Sequence, residues 1–117
     1  MKQLLLLMIF AVAAFGATKE SEPSKVKMVK GKYVIDVRTQ AEWDEGHMDG
    51  AILIPYNQIK DRITEVTKDK NAPIALYCAS GGRSGRALLI LKELGYKNLE
   101  NLGGFGDARE KLNKAGK

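Results

Sequence analysis

Five stretches that carry apolar residues, at 26–29, 33–37, 51–54, 73–78 and 98–102, alternate with polar or glycine-rich ones. Each run is strand length, and runs 33–37 and 73–78 are almost continuously apolar, as in a sheet covered on both faces. Run 26–29 predicts a short edge strand, with a turn at Gly31. Helical spacing fills most of the gaps. Thr39 predicts an N-cap for a helix over 40–45, with Glu42 as its capping-box partner and Gly46 as its stop. Asn57 predicts the cap of a helix over 58–67, in which Ile59, Ile63 and Val66 form one buried stripe. Pro55 ends the strand before it. A helix follows Cys78, runs to Leu94 and stops at Gly95. Gly103 and Gly104 predict a sharp turn before a short terminal helix over 107–114. Strand alternating with helix predicts an α/β fold with a largely parallel sheet. In such sheets ligands gather at the carboxyl ends of strands, where Asp36, Arg38 and Cys78 fall.

The apolar stretch at residues 4–15 differs from these runs. A basic Lys2 precedes it and small residues follow, which predicts a signal peptide over 1–17, cleaved near Gly16 or Ala13. An uncleaved anchor is the alternative, although the run is short for a spanning helix. The leader predicts export, to the periplasm in a bacterial envelope, with no stable membrane association after cleavage. A polar, flexible segment follows over 18–24, and one domain over 25–117. The formal charge is +5, and loss of Lys2 lowers it by one. The basic residues are dispersed, which favours small anions as partners and gives no nucleic-acid footprint. No pattern encodes an oligomeric state. The single cysteine excludes an internal disulfide and leaves a free thiol or an intermolecular bridge.

That cysteine sits in Cys78-Ala79-Ser80-Gly81-Gly82-Arg83-Ser84, between a strand and a helix. The order aims the unpaired N–H groups of a helix start at the sulfur. A concave row of such groups cradles an anion and favours thiolate, the reactive form. Arg83 supplies a permanent charge suited to an oxyanion. Asp36 is read as a structural acceptor for loop N–H groups. Arg38 is read as pairing with Glu42 or Asp36, and His47 as tying backbone groups together near the site. Trp43 and Phe105 are read as core or pocket-rim residues.

Ile35-Asp36-Val37-Arg38, Glu42, Gly46-His47, Gly50-Ala51 and Ile54-Pro55 resemble the "IDVR…E…GH…GA…IP" signature of the rhodanese domain. The loop from Cys78 to Ser84 resembles that family's active-site loop, and Leu102-Gly103-Gly104-Phe105 its late glycine pair with an aromatic. The resemblance implies a five-stranded, largely parallel sheet with helices on both faces. It implies a sulfurtransferase that moves a sulfane sulfur from a donor such as thiosulfate to cyanide or a thiol. No metal or organic cofactor is implied. By position, Cys78 holds a persulfide, and Ala79, Ser80, Gly81, Gly82, Arg83 and Ser84 surround it. Two other readings stay open. One is a sulfur-carrier module that works only with a partner protein. The other is a cysteine phosphatase or arsenate reductase, whose loop resembles Cys-x5-Arg; here four residues separate Cys78 from Arg83.

Overall fold

The computed structural model describes residues 26–115. The readings of residues 1–17 as a leader and 18–24 as a flexible segment lie outside them. Four parallel strands form one sheet in the order β2-β1-β3-β4: β1 Tyr33–Asp36, β2 Ile52–Leu53, β3 Ile74–Cys78 and β4 Leu99–Gly104. Strand β3 is buried throughout. No helix among the described residues is long and apolar enough to cross a membrane.

Alternation along the strands sorts side chains into two apolar layers. Ile35, Val37, Ile74, Leu76 and Cys78 face one layer, completed by Ile59, Ile63, Val66, Ala87 and Leu91. Val34, Ala75 and Tyr77 face the other, completed by Leu102, Ala108 and Leu112. Helices therefore cover both faces. Helix α1 is Gln40–Glu45, α2 is Ile59–Arg62, α3 is Gly82–Glu93 and α4 is Phe105–Ala115.

Thr39 caps α1 with the complete capping box, and the Gly46 N–H closes its end on the Trp43 carbonyl. Gly95, at φ 102°, follows the end of α3. Elsewhere the chain departs from the sequence reading. Residues 26–29 form no strand; Lys30 and Gly31, both at positive φ, turn the chain so sharply that Val29 bridges to Lys32. The fifth strand implied by the resemblance is thus not found among the described residues. The helix expected over 58–67 is broken into a 3-10 turn at Tyr56–Gln58, α2, and a second 3-10 turn at Ile63–Glu65. Asn57 makes no cap and lies inside the first turn. The buried spacing of Ile59, Ile63 and Val66 survives, because the three side chains still face the core.

Gly103 and Gly104 belong to β4 rather than to a turn. The register explains this. Leu76 pairs with Asn101 and Tyr77 with Gly103, so β4 carries one extra residue at a bulge. The strand continues until Gly104 lies beside Cys78. The terminal helix then starts at Phe105, two residues earlier than expected.

Candidate active site

Cys78 is the last residue of β3, and α3 begins four residues later. Gly81 makes the reversal at φ 101°, a left-handed conformation that side chains resist. The Gly81 N–H then donates to Cys78 Sγ at 2.9 Å, and the Ser84 N–H at 3.4 Å. Ser84 Oγ lies 3.4 Å from the sulfur. The loop thus places donors where the sequence predicts them, at the start of a twelve-residue helix. The sulfur is also buried, with no exposed surface. Burial alone pushes the thiol up. The Ser84 hydroxyl, when its proton faces the sulfur, and the amides of Ser84, Ser80 and Gly81 outweigh burial and hold the thiol below its ordinary value.

Gly104 presses against this loop. A Cβ there would lie 2.5 Å from the Ala79 carbonyl oxygen and 3.4 Å from Ser80 Cα, backbone atoms that cannot swing aside. Gly104→Ala is expected to cost about 1–3 kcal/mol by overpacking. It should also raise the Cys78 pKa as the loop amides move away. Urea unfolding and the pH dependence of thiol alkylation check both, and an unchanged thiol would show that the loop accommodates the methyl.

Arg83 leaves the loop and makes a two-pronged ion pair with Glu42, each N–O contact 2.9 Å. Glu42 is also the capping-box residue of α1, accepting the Thr39 N–H at 2.9 Å. Arg83 and Thr39 together hold the Glu42 carboxyl down to about 2 from an ordinary 4.5. The sequence reading offers the Arg83 charge to a small oxyanion; in the structure both its terminal nitrogens are on Glu42. Glu42 was legible as a cap but not as this partner. A depressed carboxyl stabilises the fold above its unfolded pKa and loses that contribution as pH falls toward its folded pKa. The stability deficit of Glu42→Gln should accordingly be full above about pH 4.5 and shrink steadily toward pH 2. Urea midpoints across that range measure it; a deficit independent of pH would show that the charge plays no part.

The remaining expected residues lie apart from the sulfur. Asp36 accepts no loop N–H. It pairs with Tyr77 across the strands, so its side chain points to the opposite face of the sheet from Cys78. There it accepts the Arg38 N–H at 2.9 Å, Arg38 Nε at 3.0 Å and Arg38 Nη2 at 2.7 Å. Arg38 also donates to the Gly46 carbonyl at 2.7 Å and lies over the Phe105 ring at 4.8 Å. Of its two expected partners, Arg38 takes Asp36. His47 is exposed; it stacks on Trp43 with ring centres 3.5 Å apart and sets Nδ1 3.1 Å from the Trp43 carbonyl oxygen. Trp43 and Phe105 are half-buried. Among the described residues no three His, Cys, Asp or Glu side chains converge to hold a metal ion.

A buried thiol facing helix-start amides at the end of a central parallel strand defines a cysteine-centred α/β domain. Residues 21–110 match the rhodanese-like domain, and the chain belongs to that family. It is 44% identical over 73 residues to thiosulfate sulfurtransferase PspE of Escherichia coli K12, covering 62% of this chain and 70% of that protein. It is 33% identical over 85 residues to a sulfurtransferase of Allochromatium vinosum, covering 73% and 78% respectively. A solved structure, a rhodanese with anions from E. coli, is 42% identical with a TM-score of 0.63, covering 65% of this chain and 89% of its own. The α/β rhodanese fold follows.

Proposed function

We propose that this protein is a sulfurtransferase that carries a sulfane sulfur on Cys78 as a persulfide, with thiosulfate or a similar small anion as donor. The observation that carries this reading is the pair of N–H groups, from Gly81 and Ser84, directed at the Cys78 sulfur. The Cys78 thiolate attacks the outer sulfur of thiosulfate. A new S–S bond forms, the old one breaks, and sulfite leaves with its electron pair. The terminal persulfide sulfur is anionic and is served by the amides of Ala79 to Ser84. A thiol or cyanide acceptor then attacks that sulfur and returns Cys78 to thiolate, so the kinetics are ping-pong. Arg83, tied to Glu42, contributes positive potential at the loop. Asp36 and Arg38 support the strand ends, and His47 steadies α1 through Trp43.

Mass spectrometry after thiosulfate treatment tests the reading: one sulfur atom should be added to the peptide containing Cys78. No adduct at any pH up to the thiol's own range would reject it. The complete burial of the sulfur supports a second reading, in which transfer is fast only to a partner protein that engages the loop. A persulfide that forms readily but passes slowly to small thiols would favour it. Residues 1–17 are proposed to direct export to the periplasm, which fractionation of a tagged full chain tests.

A further inference from the structure

The hydroxyl of Ser84 is surrounded by acceptors but has one proton to give. Its oxygen lies 2.7 Å from Asn101 Oδ1, 3.1 Å from the Gly81 carbonyl oxygen and 3.4 Å from Cys78 Sγ. The other bonds around it decide where the proton goes. The Gly103 N–H, which can only donate, meets Asn101 at 2.9 Å, so the atom there is Oδ1. Asn101 Nδ2 then faces the Gly81 carbonyl at 3.3 Å, and that carbonyl already accepts the Gly85 N–H at 3.0 Å. The Gly81 oxygen is therefore saturated. Asn101 Oδ1 has one lone pair left, at the shortest distance of the three. The proton of Ser84 goes to Asn101, and a lone pair of Ser84 faces the sulfur. That arrangement suits a thiol, which can donate its S–H to Ser84, and opposes a thiolate.

We infer that Asn101 is a positioning residue for the sulfur chemistry: it holds the Ser84 proton away from Cys78, so ionising the sulfur requires that hydroxyl to turn. Asn101 pairs with Leu76, so it takes the face of the sheet shared with Cys78, and the site also holds charged groups. Those groups are Arg83 on α3, Glu42 on α1, Asp36 and Arg38 across the sheet, and Asp107 of α4 beside Gly103. None is removed by the substitutions below. The inference rests on the transfer reading only for its purpose, because ionisation can be followed without any sulfur donor.

The test is the pKa of Cys78 in the full chain, from the pH dependence of iodoacetamide alkylation; the single cysteine makes the signal unambiguous. Asn101→Leu frees the Ser84 proton, which the sulfur then shares with the Gly81 carbonyl that Asn101 Nδ2 no longer occupies, so the pKa should fall by up to about one unit, at most roughly tenfold more thiolate at a given pH below it. Asn101→Asp keeps the acceptor and adds a negative charge, so it should raise the pKa. Ser84→Ala alone should raise it only modestly, because the hydroxyl it removes serves the thiolate only after turning from Asn101. In the Asn101→Leu background, where no turn away from Asn101 is needed, Ser84→Ala should raise it more than it does alone. A purely structural Asn101 would move both of its variants upward together, and that result overturns the inference. So does a rise in Ser84→Ala alone as large as the rise in the Asn101→Leu background. If the pKa pattern holds and no persulfide forms, the transfer reading fails and the role of Asn101 stands.

Discussion

Cys78→Ser is expected to abolish sulfur transfer, with a fall on the order of 10⁴–10⁶-fold, as for loss of a nucleophile in other covalent enzymes. A hydroxyl at this position cannot supply a stable anion near neutral pH, and an S–O product would not mimic a persulfide. The fold should survive. The Gly81 and Ser84 N–H groups that face Sγ can donate to Oγ instead, so the buried hydroxyl is satisfied. A thiosulfate:cyanide assay beside urea unfolding separates the two effects. Residual transfer above one part in a hundred, in a folded variant, would mean that the sulfur travels by another route.

Asp36→Ala is expected to lower stability by about 3–5 kcal/mol, because it leaves a charge buried without its partner. Asp36 is fully buried, and the Arg38 side chain is 7% exposed. Arg38 would keep one carbonyl, from Gly46, and the Phe105 ring, which cannot neutralise it. Such a loss is a large share of the 5–15 kcal/mol typical of a domain. Replacing both partners together, as Asp36→Leu with Arg38→Met, should cost less than Asp36→Ala alone. Urea midpoints decide; a loss under 1 kcal/mol in the single variant would show that water reaches Arg38.

Much of this was readable along the chain, where neighbours in sequence act on one another. The Thr39–Glu42 cap, the strand leading into Cys78 and the amides after it depend on residues within a few positions. The side of the sheet taken by Asp36 was not readable: alternation sets it against Ile35 and Val37, but only its pairing with Tyr77 turns it away from the cysteine loop. Pairings across long separations were not readable. Glu42 and Arg83 are 41 residues apart, and Ser84 and Asn101 are 17. Each meets only because α1 and β4 flank the same strand end. Strand β4 was misread at its end because two glycines in a row signal a turn, whereas here they give the room that the cysteine loop needs.

The extra residue in β4 ties the pairing of two strands to the shape of a loop elsewhere in the chain. It brings a position without a side chain beside Cys78. Were β4 to slide by one place so that Phe105 took the position of Gly104, the Ala79 carbonyl would have nowhere to go. That misalignment is thereby barred from closing over the sulfur, so the loop serves as a gauge of strand alignment in that direction.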